Sequence, residues 1–174
     1  MIKPPYCSTG RRYWLNLFTG TTWEAFLADS ARSTGFRSHK LATAKKIQIG
    51  DYFLCYLAGL SRFISVLEAM SEAEVSYWHP AWGDVRFPIT FSVKPVYTLT
   101  PETAVPILIL KDSLSMFDDL KVPRAWGVLF RGSPREFNTS DGELIVEAIR
   151  GAMDRPIARP YRERDYLRDP VSSI

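Results

Sequence analysis

Histidine and cysteine are scarce in this chain, two of each in 174 residues. Cys7 lies near the N-terminal end and Cys55 inside the apolar run Tyr52-Phe-Leu-Cys-Tyr-Leu57, a usage that fits a reducing compartment better than a disulfide framework. With only His39 and His79 beside them, no metal-ligand spacing forms, and neither a structural metal nor a cofactor is expected. No run of about 18 apolar residues exists to span a bilayer, and Met1-Ile-Lys-Pro-Pro5 lacks the apolar stretch and cleavage site of a secretory leader. The expectation is a cytoplasmic protein. There is likewise no P-loop, no histidine-asparagine-histidine cluster and no pair of carboxylates at catalytic spacing. Asp118-Asp119 reads as a solvated loop.

What is present is charge of one sign at one end and a wealth of aromatic rings. The net charge is +3, but the first 50 residues hold eight Lys and Arg against Glu24 and Asp29, a local +6. Such a segment argues for a polyanion partner. Aromatic residues make up 13% of the chain, so most of them must be core; Trp14 and Trp126 are assigned there. Phe36, in Ser33-Thr-Gly-Phe-Arg-Ser38, and Trp78 and Trp82, in Tyr77-Trp-His-Pro-Ala-Trp-Gly83, stand instead among small, polar and charged residues.

The pattern along the chain is mixed. Arg12-Tyr-Trp-Leu-Asn-Leu-Phe18 reads as a buried strand, and Thr21-Thr-Trp-Glu24 as a capping box opening a helix to about Ser30. A second short helix is predicted between Leu41 and Ile49. Tyr52–Leu57 and Arg62–Glu68 form a hairpin whose strands are apolar on both faces, the mark of a covered or closed sheet. Phe87–Pro95 is a further strand that its prolines should confine to an edge or to strand ends. Thr100-Pro101 resembles a helix start, and Trp126–Phe130 a closing strand. Ser140-Asp-Gly-Glu143 opens a helix ending near Gly151. Residues 1–152 are therefore taken as a single domain and 153–174 as a basic, flexible tail. Strands in the centre with helices before and after give an α+β fold, a small curved sheet or open β-barrel flanked by helices.

Tyr13-Trp-Leu, Gly35-Phe-Arg, Gly50-Asp-Tyr-Phe-Leu-Cys-Tyr, Arg62-Phe-Ile-Ser-Val-Leu-Glu-Ala, Trp82 with Phe87-Pro-Ile, and Arg131-Gly-Ser-Pro, in this order and spacing, resemble the EVE domain. That family belongs to the PUA-like superfamily and is related to YTH readers of N6-methyladenine. The resemblance spans about Tyr13 to Ala152. It implies a PUA-like barrel with a surface pocket for one flipped modified base, non-catalytic, commonly a modified pyrimidine for EVE domains. Phe36, Trp78 and Trp82 match the order of the aromatic wall positions in the related pattern, and Trp23 lies where a pocket-facing residue is suggested. Leu17-Phe18 stands where a Lys-Ser pair often ends the first strand.

Stacking on such walls is worth about 1 to 3 kcal/mol per base, and a methyl group buried among them adds about 0.8 kcal/mol. Polar groups then supply the choice of base. The expected edge readers are Thr19 and Ser38, and the expected phosphate holders Arg37, Lys40 and Arg62. The sequence-level expectation is thus a reader of modified cytosine in DNA, DNA being favoured over RNA, serving a modification-dependent restriction or defence system whose nuclease or motor is another chain. Two alternatives stand beside it. One is an RNA modified-base reader or assembly module. The other is an amidohydrolase acting on acylated cytidine, like ASCH-type relatives, with Thr19, Lys40 and Glu68 as its threonine, lysine and glutamate.

Overall fold

The computed structural model describes residues 10–76 and 87–169. Strand β1 (Tyr13–Phe18) leads into helix α1 (Gly20–Ala28), strand β2 (Ser33–Phe36), the one-turn helix α2 (Leu41–Ala44) and the hairpin of β3 (Tyr52–Leu57) with β4 (Arg62–Ala69). Short β5 (Glu74–Val75) precedes the long β6 (Ile89–Thr98) and short β7 (Val105–Pro106). A stretch of 3-10 turns runs through Ile107–Phe130 before β8 (Arg135–Phe137), helix α3 (Thr139–Asp154) and the single turn α4 (Glu163–Tyr166).

The strands form one sheet in the order β2-β6-β4-β3-β1-β8, with β5 on β6 and β7 on β4. The β1–β3 pair is parallel, with Tyr13 opposite Tyr52 and Phe18 opposite Leu57; its neighbours are antiparallel. Strand β6 gives its first half to β2, with short β5 on its other side, and its second half to β4. That shared strand curls the sheet into a half-barrel. Because β1 and β3 are neighbours in the ladder, Trp14 and Phe53 face the same way, and with Phe36 and Phe91 they fill the hollow side; Phe36, Phe53 and Phe91 pack with centroids 5.2–5.8 Å apart. On the outer side α3 lies across β1, β3, β4 and β6 and buries Ile145 and Ile149. There Tyr56 stacks on Phe130 at 4.3 Å.

Several expectations are corrected. Thr19, not Thr21, caps α1: its Oγ1 accepts from the Thr22 amide at 3.1 Å while the Thr22 hydroxyl oxygen accepts from the Thr19 amide at 2.9 Å, a reciprocal box two residues upstream of the expected one. Trp126–Phe130 is 3-10 helical, and β8 is the last strand laid on β1. Thr100-Pro101 opens only a turn, closed by reciprocal Thr100 and Thr103 bonds. The long α3 is capped by Asn138, whose Oδ1 accepts from the Asp141 amide. Strand β6 is central despite Pro95, which the sheet accommodates by a register shift between Val66 and Leu67, its partners on β4.

The segment expected to be a flexible tail is docked as far as Asp169. The Arg62 guanidinium donates to the Pro101, Arg159 and Pro160 carbonyls at 2.7–3.3 Å, and the Tyr166 hydroxyl donates to Glu24 at 2.9 Å. Burial and the nearby Glu24 carboxylate both push the Tyr166 phenol up. Two glycines make this close approach possible. A Cβ on Gly20 would run into Tyr166, and one on Gly59 into the Asp165 carbonyl.

A clamp holds β8 to the start of β1. Arg12 donates Nε and Nη2 to the two carboxylate oxygens of Glu136, each at 2.7 Å, and the guanidinium holds the Glu136 carboxyl below its usual range. A depressed carboxyl contributes stability that is present above its unfolded pKa and lost as pH falls through its folded value. Both side chains are about a third or more exposed, so the contribution is below about 1 kcal/mol. Glu136→Gln is therefore expected to lower the midpoint of thermal unfolding slightly at pH 7, and the gap to wild type should close below about pH 4. A gap that persists or widens in acid would refute this account of the clamp.

Candidate nucleic-acid interface

At the C-terminal end of β1 the half-barrel is open. Strand β8 pairs with β1 only from Tyr13 to Leu15, and beyond it the Leu17 amide donates to the Ser133 hydroxyl at 3.2 Å. On the hollow face of β1, in register with Trp14 and Phe18, stands Asn16. It is the one amide side chain in this strand, and only 1% of it is exposed. Its Nδ2 donates to Thr34 Oγ1 of β2 at 2.8 Å, across the space that no ladder closes. Above this pair is a cleft of about 40 Å³ lined by Asn16, Phe18, Thr22, Thr34, Gly35 and Phe87. The volume suits one water molecule or a methyl group and is far below a complete ligand pocket of about 300–1,000 Å³. The described residues thus form a floor and one side. Phe87, at the rim, directly follows segment 77–86, which carries Trp78 and Trp82 and lies outside the described residues.

The other expected wall residues are placed elsewhere. Thr34 and Phe36 share the inward face of β2 by the two-residue period of a strand, so Phe36 turns into the core with 2% exposure, its ring against Phe53 and Phe91. Trp23 is buried likewise, edge-on to Phe18 at 5.2 Å, on the face of α1 that meets the sheet. Neither ring offers a face to a base. Thr19 is engaged in the helix cap, although its partner Thr22 lines the cleft. Ser38 is exposed in the 3-10 turn 38–40 that follows β2.

The expected phosphate holders divide. Arg37 is exposed directly after β2, and the Lys40 ammonium lies over Gly132, one residue from the Ser133 that holds the end of β1. Arg131, beside them, is exposed. Arg62 is not available in the same way, since three carbonyls of the chain already occupy its guanidinium. The amidohydrolase set is not assembled. Thr19 follows the end of β1 opposite Leu57, whereas Glu68 pairs with Tyr52 at the other end of β3, roughly 17 Å away along the strands.

Solved structures share this architecture. The Mmi1 YTH domain in complex with RNA superposes with a TM-score of 0.63 at 14% identity, over 87% of this chain and 85% of that one. The YTH domain of the Zygosaccharomyces rouxii MRB1 protein, in complex with N6-methyladenosine RNA, does so with a TM-score of 0.59 at 18% identity, over 89% and 96%. The fold resembles that of YTH domains. The protein Rpa0253 from Rhodopseudomonas palustris is a third neighbour, with a TM-score of 0.53 at 18% identity over 79% of this chain and 92% of that one. No protein-family model matches the sequence, and no curated protein matches it significantly.

Asn16, Thr22, Thr34 and Phe87 were not singled out from sequence. Asn16 carried a usable signal, a lone amide in a strand of aromatic and aliphatic residues, since a buried amide must find partners. The other three carried none, because what unites them is the curl of the sheet.

Proposed function

We propose that this chain binds nucleic acid by taking up one everted, modified base at the open end of the half-barrel, without catalysing a reaction on it. The observation that carries the reading is the Asn16–Thr34 pair, a buried, oriented polar floor beneath a methyl-sized cleft at a gap in the sheet. Polar groups so placed read a base edge, and the adjoining small cleft accepts a substituent on it. Arg37, Lys40 and Arg131 give the rim the positive charge that a phosphate backbone requires. Trp78 and Trp82 supply the stacking faces in this reading, taking the part that Phe36 and Trp23 do not.

RNA carrying a methylated adenine is the first candidate, because two solved neighbours are complexes with RNA, one of them with N6-methyladenosine. The second is DNA carrying a modified cytosine, supported by the resemblance of the sequence to EVE domains; a nuclease or motor partner belongs to that reading. A panel of single-stranded oligonucleotides, RNA and DNA, with one modified or unmodified adenine or cytosine, separates them by tryptophan quenching. Saturable binding that prefers one modified base, with no product on long incubation, is expected. Equal affinity for modified and unmodified strands would reject the reader function, and turnover of the base would reject its non-catalytic character.

A further inference from the structure

A second feature stands at the same end of the sheet, on the other side of α4. Between the β3–β4 turn and the docked C-terminal segment is an open hollow of about 530 Å³, lined by Arg62, Arg162 and Arg168 together with Tyr161 and Asp165. Arg62 is 9% exposed, yet only neutral carbonyls hold its guanidinium, and it takes part in no ion pair among the described residues. Burial and the facing charge of Arg159 both disfavour its protonated form, opposed by Glu102 and Tyr161. A buried cation lacking a counter-charge at contact distance is costly unless an anion approaches. Arg162 gives only Nε to Asp165, at 2.9 Å, and Arg168 reaches the Gly59 carbonyl at 3.5 Å. Among the described residues Asp165 is the one carboxylate lining the hollow, and it also lies 3.9 Å from Arg164, so arginine is in excess there.

We infer that this hollow binds a backbone phosphate of the same nucleic-acid strand whose base enters the cleft, an inference that rests on the reading of the cleft given above. Position supports it. Strands β1 and β3 run parallel, and the Ala58 amide donates to the Phe18 carbonyl at 2.9 Å, so the β3–β4 turn and the start of α1 leave the sheet side by side. Helix α4 bridges them, Tyr166 against Gly20 and Asp165 against Gly59, while Thr22 two residues further on lines the cleft. Glu24 and Glu163 line the Tyr166 side of this short helix and repel a strand there, so a strand leaving the cleft finds its phosphate partners on the Gly59 side, at the arginines, whose planar heads suit phosphate oxygens.

The test compares wild type with the double variant Arg162→Gln/Arg168→Gln, leaving Arg62 intact because it ties down the fold. Binding of modified and unmodified single-stranded oligonucleotides is measured against salt concentration, and inorganic pyrophosphate is offered as a competitor. The double variant is expected to bind both oligonucleotides about tenfold more weakly at low salt, to lose about 0.7 units of the salt slope, the share of one phosphate on a single strand, and to keep the wild-type ratio between them. An unchanged slope overturns the inference, as does competition by pyrophosphate at these arginines without any change in oligonucleotide binding, which would mark a site for free anions. A slope that falls in a protein showing no modified-base preference upholds the phosphate contact and refutes the cleft reading alone.

Discussion

Replacing Asp51 with alanine is expected to lower the stability of the fold by about 3 to 5 kcal/mol, a large part of the 5 to 15 kcal/mol that holds a domain of this size. The side chain is 3% exposed and sits where the chain enters β3. Its Oδ1 accepts from the Arg12 amide at 3.1 Å, and its Oδ2 from the Trp14 indole at 2.9 Å and the Gln48 amide at 3.0 Å. One carboxylate thereby joins the start of β1, the turn after α2 and the largest ring on the hollow face. Alanine leaves three donors without an acceptor, each costing about 1 to 3 kcal/mol when water cannot reach it. Asp51→Asn keeps the shape but turns an amide toward donors, and should fall between the two. Urea unfolding measures this, with an unchanged slope m showing that the native state itself was weakened. A loss below about 1 kcal/mol would mean that these donors are hydrated and that the junction is held by packing instead.

Which parts of this molecule were legible in sequence follows from how local their causes are. The β3–β4 hairpin and α3 were visible because their signals lie within one run of residues: two apolar strands about a short turn, and apolar positions at helical spacing. The parallel pairing of β1 with β3 was not, because its partners are 39 residues apart and no turn links them. The same non-locality explains the site. Phe36 follows a glycine and precedes an arginine, which suggested exposure, but the pairing of β2 with β6 fixes its face and turns it inward. Trp23 misled for a different reason: its spacing from Phe26 already puts both on one apolar stripe of the helix, and only the family resemblance turned it toward a pocket. The C-terminal segment looked flexible because its own composition is charged and poor in apolar residues. Its anchors, Arg62, Glu24 and two glycines, all lie elsewhere in the chain.

The strongest effect on binding is expected from Asn16→Leu. Leucine has the branching of asparagine and belongs among the apolar neighbours of β1, but it replaces one partner of the pair and leaves the buried Thr34 hydroxyl without its donor, so the fold should lose about 1 to 3 kcal/mol and still stand. Thr34 keeps a hydroxyl that can turn toward the cleft. What disappears is an oriented amide beside the opening, and a base edge bound there would lose its partner after surrendering its water. That loss is worth about 1 to 3 kcal/mol, or roughly fivefold to 150-fold in Kd, and it should fall mainly on the preferred modified base, because discrimination requires a polar group that the wrong base leaves unpaired. Trp82→Ala should behave differently, weakening modified and unmodified strands together, since every base has a face to stack. Titrating both variants with the oligonucleotide panel, at a temperature well below the thermal midpoint of each, separates choice from stacking. If Asn16→Leu keeps the wild-type preference, the floor of the cleft does not read the base, and the recognition site must be sought away from the open end of the half-barrel.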